Sequence, residues 1–309
     1  MKYKIFVDGS EGTTGLKINE QLMAQPNIEM LKIDNDLRKE TSEREKFLNM
    51  ADIVFLCLPD AAAIEAVALI TNPNTRVIDA STAHRTNKDW AYGFPELSPE
   101  QSLKIKTSNR VAVPGCYATG FNSIVFPLVS NGIMQKDYPV ICQAVSGYSG
   151  GGKKLIAKYE AKGQVDDKLK SPQYYALNLS HKHLPEMQKI SGLKDSPLFY
   201  PSVGDFYNGM LVTIPIHRRL LKKDITAKEL HSFYTDYYKD AEFIKVTPLG
   251  GEGYLENGFL NCTACNGTNN LELFIFNNDD QILLTARLDN LGKGASGAAV
   301  QCMKLMLSL

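Results

Sequence analysis

Short apolar runs of strand length alternate with helical patterns through the first third of the chain. The runs occupy residues 3–7, 29–33, 51–59, 76–79 and 110–113. Apolar runs this short, bounded by turn residues, are typical of strands buried on both faces. After the first run, Leu16, Ile18, Leu22 and Met23 recur at helical spacing. The alternation predicts an α/β fold, in which parallel strands carry helices on their faces.

Strands dominate the second part of the chain. They are predicted over residues 140–145, 211–217, 243–246, 271–276 and 281–288, with one amphipathic helix over 227–238. This succession of strands with a single helix predicts an α+β domain with a mostly antiparallel sheet. One face of that sheet is a candidate subunit interface. A glycine-rich turn at Gly292 then opens a last helix of small residues. Because small residues allow close packing, we expect that helix to return to the first domain.

The chain has 309 residues, which is more than one hydrophobic core usually serves. We therefore expect two domains. The first spans residues 1–116 and is completed by residues 290–309; the second, for catalysis and oligomerisation, spans residues 117–289. A homodimer or homotetramer is the expected assembly.

Charge and cysteine usage exclude several classes of function. The 34 basic residues balance 34 acidic ones, and no basic stripe points to nucleic acid. No apolar run reaches membrane-spanning length. No signal peptide precedes the first strand, so we expect a cytoplasmic protein with six free thiols. Cys262 and Cys265 have the spacing of a metal or redox pair, but no histidine lies near them, and no metal is predicted.

A glycine turn separates the first strand from the first helix. Residues 8–15 read DGSEGTTG, and small residues here let the backbone approach a pyrophosphate held at the helix N-terminus. The predicted cofactor contacts are Gly9, Ser10, Gly12, Thr13, Thr14 and Gly15. The G-x-x-G-x-x-G spacing departs from G-x-G-x-x-G, so a plain strand-to-helix turn stays open. In context, the turn favours a Rossmann-type dinucleotide-binding domain.

The choice between NAD and NADP is open from the residues alone. Asp34 ends the second strand, where an acidic residue often binds the adenosine ribose and favours NAD. Arg38 and Lys39 follow closely and could pair with the 2′-phosphate of NADP. A charged turn on a solvated surface explains all three residues equally well.

Polar residues follow the strand at 76–79. Ser81, Thr82, His84 and Arg85 come after its carboxyl end, which is the edge where doubly wound sheets bind ligands. They are candidates for a cofactor or anion contact, although each of them singly also suits a turn.

Cys116 follows a proline and a glycine and opens a predicted helix. The unpaired N–H groups and positive dipole end of a helix start favour thiolate over thiol. The same N–H groups could receive an oxyanion formed when the thiolate attacks a carbonyl. The alternative is a buried, inert cysteine. Pro127 is expected to bend or shorten the helix.

Residues 146–154 read SGYSGGGKK. Three adjacent glycines with serines and lysines can form a backbone nest that binds an anion, which makes Ser146, Gly147, Ser149 and Lys153 candidates for a substrate phosphate. A flexible hinge is the alternative.

Two of the five histidines, His181 and His183, stand two residues apart and are followed by Glu186. Imidazole is the side chain poised to exchange protons at neutral pH. On an extended segment the two rings would point in opposite directions, and Pro185 could open a helix with Glu186 in its first turn. No third ligand at a convincing spacing supports a metal. His217 is interpreted as a strand-end residue.

Six motifs in this order resemble the N-acetyl-gamma-glutamyl-phosphate reductase family, in particular its shorter subgroup within the aspartate-semialdehyde dehydrogenase-like group. They read DGSEGTTGL from residue 8, IDASTAHR from 78, YGFPEL from 92, PGCYAT from 114, SGYSGGGK from 146 and HKHLPE from 181. The resemblance covers essentially the whole chain, and PGCYAT is its most specific piece. Longer members have HRHTPE at the histidine motif; here Lys182 and Leu184 differ, while both imidazoles and the glutamate are kept.

The resemblance implies a function for each part. Cys116 would be the nucleophile, His183 or His181 the acid/base group beside Glu186, and NADPH the reductant, with Arg38 and Lys39 on its 2′-phosphate. Ser81, Asn290 and Gly292 would add cofactor contacts, and Arg85 would bind the substrate phosphate. The expected reaction, in arginine biosynthesis, reduces N-acetyl-glutamyl 5-phosphate through a thioester to N-acetyl-glutamate 5-semialdehyde and phosphate.

Two alternatives stay open at this point. The same machinery could act on aspartyl phosphate or N-acetyl-aminoadipyl phosphate. The chain could also be a non-catalytic dinucleotide sensor with a structural Cys116.

Overall fold

The computed structural model describes residues 2–34, 36–161 and 166–309. It divides into two compact units, Met1–Gly115 with Ala295–Leu309, and Cys116–Gly294. Residue 116 and residues 290–294, which the sequence analysis assigns to the first domain, belong to the second unit. The physical reason is local, since Asn290 accepts a hydrogen bond from the Gly209 N–H group at 2.8 Å.

The first unit alternates strands and helices. In chain order it contains β1 (Tyr3–Asp8), α1 (Thr13–Met23), β2 (Ile28–Leu31), α2 (Thr41–Met50), β3 (Ile53–Leu56), α3 (Asp60–Ala68), β4 (Arg76–Asp79), β5 (Ala91–Tyr92), α4 (Pro99–Thr107) and β6 (Arg110–Ala112). The strands form one six-stranded sheet in the order β2-β1-β3-β4-β6-β5. Every neighbouring pair is parallel, as the apolar runs predict.

The second unit is built around a seven-stranded sheet. Its elements are α5 (Cys116–Ser130), β7 (Ile141–Gly147), α6 (Gly152–Tyr159), β8 (Gln173–Tyr174), α7 (Leu184–Ser191), β9 (Leu198–Gly204), β10 (Met210–His217), α8 (Ala227–Tyr237), β11 (Ile244–Val246), β12 (Leu271–Asn277) and β13 (Gln281–Leu288). The strand order is β11-β12-β13-β10-β7-β9-β8. The pairs β11–β12 and β7–β9 are parallel and the others antiparallel, so the mostly antiparallel sheet is confirmed.

The last helix, α9 (Gly297–Leu307), belongs to the first unit. Its buried residues, among them Ala299, Cys302 and Met303, join the same apolar cluster as Ile5 and Val111 of the parallel sheet. The first unit is therefore discontinuous in sequence. In the part of the chain that the structure describes, no helix is long and apolar enough to cross a membrane.

Pro127 neither ends nor shortens α5, because the helix continues to Ser130. Proline lacks an N–H group, so the Ser123 carbonyl, four residues earlier, loses its helical donor. The Tyr238 hydroxyl donates to that carbonyl at 2.7 Å, and Tyr234 donates to the next carbonyl, Ile124, at 2.6 Å. Side chains from α8 and its C-cap thus satisfy the acceptor that the proline leaves.

Candidate active site

Cys116 is the first residue of α5, and its side chain is half-buried. The strand β6 ends four residues earlier, and the buried residues Val113, Pro114 and Gly115 connect the two elements. A helix start leaves backbone N–H groups without acceptors inside the helix, and its dipole favours a negative charge. The predicted placement of Cys116 in a first helical turn is confirmed.

Tyr117, the next residue, contacts both predicted histidines. Its ring centroid lies 5.8 Å from that of His181 and 5.9 Å from that of His183. The two imidazole rings are 4.8 Å apart at 86°. The prediction that they point in opposite directions is wrong, because the segment is not extended: His183 has φ −87° and ψ −10° and caps α7. The turn brings both rings to the same place.

One hydrogen bond fixes the state of the His181 ring. The backbone N–H group of His183 donates to His181 Nδ1 at 3.1 Å. Since a backbone N–H group can only donate, Nδ1 is an acceptor, and a neutral His181 carries its proton on Nε2. His183 itself is buried at 5% exposure, and Glu186 is buried in the first turn of α7.

Tyr175 is a site residue that the sequence analysis missed. Its hydroxyl donates to the Tyr117 hydroxyl at 2.8 Å. Burial raises the pKa of both phenols, and the nearby charge of a Cys116 thiolate raises them further. Both tyrosines therefore stay neutral hydroxyl groups at physiological pH. The signal was absent because 58 residues separate the pair.

Three N–H groups in the predicted anion nest at residues 146–154 have acceptors within the protein, and the binding of a substrate phosphate by this loop stays a prediction. The N–H groups of Gly147, Tyr148 and Ser149 donate to the carbonyls of Gly209, Phe206 and Tyr207 at 2.9 Å each. A nest needs donors that point at a ligand, and these three are committed to the neighbouring chain segment.

The side chains that were predicted around this loop have different surroundings. Ser146 and Ser149 are buried, and Lys153 is exposed near the start of α6. Asn290, predicted to contact the cofactor, accepts from the Gly209 N–H group and donates to the Ser149 hydroxyl at 2.9 Å. A side chain on Gly292 would collide with the Thr268 carbonyl. Both residues thus have a packing role inside the second unit.

The glycine turn of the first unit leaves room for a ligand. Gly9 has φ +85°, a conformation that glycine adopts at little cost. A Cβ on Gly15 would lie 2.5 Å from the Gly9 carbonyl oxygen, so the turn and α1 pack backbone against backbone. Ser10, Thr13 and Thr14 complete the turn and the start of α1. The turn borders a crevice of about 720 Å³.

The charged lining of this crevice is mostly basic. Arg38, Lys39 and Arg44 line it, together with Lys32. Arg38 pairs with Glu11, and Arg44, which sequence reasoning missed, pairs with Asp8 at 2.8 Å. Asp34 does not line the crevice; its carboxylate accepts from the Asp36 N–H group at 3.1 Å.

The polar residues after β4 form a hydrogen-bonded cluster around the buried Asp79. The Ser81 N–H and hydroxyl groups donate to this carboxylate at 2.9 and 2.7 Å. His84 Nδ1 lies 2.6 Å from it, and the His84 ring stacks on Trp90. The cluster fixes the loop that carries Arg85.

Arg85 is held by main-chain carbonyl groups. Its Nε donates to the Val113 carbonyl at 2.9 Å and a terminal nitrogen to the Ala80 carbonyl at 3.2 Å. Val113 precedes Cys116 by three residues, so this side chain braces the segment that leads to the cysteine. Binding of the substrate phosphate by Arg85 stays a prediction.

Four of the other five thiols have a raised pKa. Burial raises the pKa of Cys57 and of Cys265 to about 12 each, and it also raises the pKa of Cys142 and Cys262. Among the described residues, no group of three or more histidine, cysteine or acidic side chains could hold a metal ion. The Cys265 thiol instead donates to Glu272 at 3.3 Å.

Both units match known families. Residues 4–105 match the semialdehyde dehydrogenase NAD-binding domain, and residues 116–290 match the semialdehyde dehydrogenase dimerisation domain. The fold and the site therefore define the semialdehyde dehydrogenase class, whose first domain binds a nicotinamide dinucleotide.

N-acetyl-gamma-glutamyl-phosphate reductase 2 of Nostoc sp. is 48% identical over 100% of this chain and 98% of that protein. The N-acetyl-gamma-glutamyl-phosphate reductase of Burkholderia lata is 45% identical over 98% of this chain and 96% of that protein. The chain belongs to the N-acetyl-gamma-glutamyl-phosphate reductase family.

Solved structures of lower identity share the fold. Aspartate semialdehyde dehydrogenase II of Vibrio cholerae, in complex with ASA, has a TM-score of 0.72 at 14% identity and covers 100% of this chain and 99% of that chain. The aspartate semialdehyde dehydrogenase of Francisella tularensis has a TM-score of 0.73 at 13% identity, with 99% and 100% coverage.

Proposed function

We propose that this chain reduces N-acetyl-glutamyl 5-phosphate to N-acetyl-glutamate 5-semialdehyde and phosphate through a thioester on Cys116, with NADPH as the reductant. The observation that carries the proposal is the cluster at the start of α5, where Tyr117, the neighbour of Cys116, contacts both imidazole rings. The choice of substrate follows from the family, and the proposed thioester reaction follows from the side chains in this cluster.

The first step belongs to Cys116. Its thiolate adds to the acyl carbon, a sulfur–carbon bond forms, and the carbonyl oxygen becomes an oxyanion. N–H groups at a helix start are suited to hold that charge. The carbon–oxygen bond to phosphate then breaks, and the phosphate leaves as a stable anion. A thioester remains, which is more electrophilic at carbon than an oxygen ester.

The second half of the reaction returns the enzyme thiolate. When bound, the nicotinamide cofactor supplies a hydride to the thioester carbon. The thiohemiacetal then expels the Cys116 thiolate and releases the aldehyde. An imidazole that lends a proton to the oxyanion of this adduct and takes it back as the carbonyl forms would stabilise the adduct, and the buried imidazole next to Tyr117 is suited to that transfer.

The structure supports His183 rather than His181 as the proton carrier. Neutral His181 holds its proton on Nε2, and its basic nitrogen, Nδ1, already accepts from the backbone. It could accept a proton only after that hydrogen bond broke. Its ring instead packs edge-on against His183 and Phe199. We assign the proton transfer to His183. His181 holds the turn through its hydrogen bond with the His183 N–H group, and Glu186 lies in the first turn of α7, which begins directly after His183.

The charges that line the crevice of the first unit support NADPH rather than NADH as the cofactor. Four basic residues line the crevice beside the glycine turn, whereas Asp34 does not line it. A 2′-phosphate would meet positive charge there, and the Arg38 guanidinium can bind a phosphate through two parallel hydrogen bonds. Glu11, now paired with Arg38, would give way to it.

Cofactor choice is measured directly. With NADH in place of NADPH, kcat/KM should fall by at least about tenfold, which corresponds to about 1.4 kcal/mol of lost transition-state stabilisation. The double variant Arg38→Ala/Lys39→Ala should bring the two cofactors to within about threefold. Lys17→Ala is the control, because this exposed lysine pairs with Glu20 outside the crevice. Equal use of both cofactors by the wild-type protein would contradict the role of Arg38 and Lys39.

A substrate panel tests the function itself. The purified protein would be assayed in reverse, oxidising N-acetyl-glutamate semialdehyde, aspartate semialdehyde and N-acetyl-aminoadipate semialdehyde with NADP and phosphate. We expect the first to exceed the others in kcat/KM by at least about a hundredfold. A preference for another semialdehyde would reassign the substrate but keep the machinery. No turnover of any of them would leave a dinucleotide-binding protein and refute the proposal.

We also propose a homodimer or homotetramer formed through the outer face of the second sheet. Ile141, Leu198 and Leu283 point outward at 40%, 47% and 39% exposure, and the first two are directly paired across β7 and β9. An apolar face of this kind marks an interaction site. Ile141→Lys/Leu198→Lys should lower the mass seen by light scattering, while Leu103→Lys, on an exposed position of α4, should not. Unchanged assembly of the double variant would exclude this face.

A further inference from the structure

The turn that follows β13 is organised by one carboxylate. Asp289 is buried at 3% exposure. Its Oδ1 accepts from the Leu291 N–H group at 2.9 Å, and its Oδ2 accepts from the Gly267 N–H group and the Asn208 side-chain amide at 2.8 Å each. Three donors from three separate segments thus converge on one side chain. Such charge-assisted hydrogen bonds are roughly twice as strong as neutral ones.

The carbonyl of the same residue fixes Gly294. The Gly294 N–H group donates to the Asp289 carbonyl at 3.0 Å. That bond closes a turn of π-helical geometry, which begins at Gly292; such turns are frequent at functional sites. Asp289 therefore sets the backbone of residues 289–294 through its side chain and its main chain together.

Gly294 packs directly against the cysteine. A Cβ on Gly294 would lie 2.7 Å from Cys116 Cβ and 3.2 Å from Cys116 Cα. Real Cβ atoms do not approach that closely, and the atoms in the way belong to the backbone end of Cys116, which cannot rotate aside. The backbone of Gly294 is therefore in direct van der Waals contact with Cys116 and limits where its Cα and Cβ can lie.

We propose that Asp289 and Gly294 are positioning residues for the Cys116 nucleophile. Neither residue exchanges a proton or binds the acyl group. Asp289 holds the turn, and Gly294 fixes where the first residue of α5 stands. Because a displacement of about 1 Å can cost about a hundredfold in rate, the backbone of this turn contributes to catalysis. The inference rests on the proposed role of Cys116.

The direct test is Gly294→Ala. We expect kcat to fall by at least about a hundredfold and alkylation of Cys116 by iodoacetamide to slow by at least about tenfold. The KM for the cofactor should stay within twofold, while overpacking at this buried position should lower Tm by several degrees. Gly258→Ala is the control, since an added Cβ there has nothing within 4 Å. Its φ of +83° adds a backbone strain that Gly294 does not have, and even so the variant should keep kcat and the alkylation rate.

Asn208→Ala gives a second reading that does not depend on how the protein tolerates a collision. Asn208 is half-buried, and the change removes one of the three donors to Asp289. We expect kcat and the alkylation rate to fall together by about three- to tenfold, with Tm little changed. If both variants keep kcat and the alkylation rate within twofold of wild type, the proposal is overturned. A loss of Tm with unchanged alkylation would likewise reduce these residues to a structural role.

The alkylation rate separates this inference from the proposed function. If Cys116→Ser turned over normally, the thioester mechanism would fail, yet slow alkylation in Gly294→Ala would still show that the turn positions the thiol. If Cys116→Ser were inactive and the alkylation rate of Gly294→Ala were normal, the mechanism would stand and the positioning role would fall.

Discussion

Cys116→Ser should lower kcat by at least about ten-thousandfold, because a serine hydroxyl stays protonated at neutral pH and is a far weaker nucleophile than a thiolate. The exchange keeps the shape of a half-buried side chain at the start of α5. Tm should therefore stay within about 2 °C, since small changes outside the core seldom exceed about 0.5 kcal/mol. The measurement is steady-state turnover with the acyl phosphate, beside a thermal unfolding curve. Turnover within tenfold of wild type would refute the thioester mechanism.

Cys262→Ser is the matched control for that substitution. Cys262 is also half-buried, and burial raises the pKa of its thiol. Its replacement should leave kcat unchanged. Mass spectrometry after brief iodoacetamide treatment at pH 8 gives a second control. Cys57 and Cys265, whose pKa burial raises to about 12, stay protonated at that pH. The label should therefore fall on Cys116 first.

His183→Asn should lower kcat by about a hundred- to ten-thousandfold, the usual range for loss of a general acid or base. His181→Asn should cost less than about tenfold, because an asparagine Oδ1 can still accept from the His183 N–H group. The pH dependence of kcat separates the two. The part of the pH–kcat profile in which kcat changes with the protonation of the proton carrier should disappear in His183→Asn and persist in His181→Asn.

His217→Asn is the control for both histidine variants. His217 lies exposed at the end of β10, and its substitution should leave kcat and the pH profile unchanged. If His181→Asn lost more activity than His183→Asn, the proton transfer would have to be reassigned to His181.

Sequence reasoning located the strands of the first unit well and two of its helices poorly. The parallel strands are continuous apolar runs, which can be recognised in the sequence without reference to any helical or alternating period. Helix α2 was not predicted, because Leu48 is its one buried residue and its other apolar residues, Phe47 and Met50, do not repeat at helical spacing with it. Helix α4 likewise buries Ile105 alone. Elements that contribute one side chain to a core leave almost no periodicity to read.

Contacts between distant parts of the chain decided two points that the local sequence left open. The sequence predicts that Pro127 bends or shortens α5, but the helix continues to Ser130, and two tyrosines more than a hundred residues away donate to the Ser123 and Ile124 carbonyls. At the start of the glycine loop after β7, the N–H groups of residues 147–149 donate to carbonyls within residues 206–209, which local sequence did not indicate. In each case a partner distant in sequence decided which groups were satisfied.

The sequence by itself determined the parallel sheet, the glycine turn after β1 and the position of Cys116 at a helix start, because these depend on residue type and spacing over ten or twenty positions. The tertiary structure decided that the His183 N–H group donates to His181 Nδ1, that the Tyr175 hydroxyl donates to Tyr117, and that the Gly294 N–H group donates to the Asp289 carbonyl. The physical reason is that a hydrogen bond between residues 58 or 81 positions apart depends on how strands and helices pack. No local pattern of residues encodes that packing.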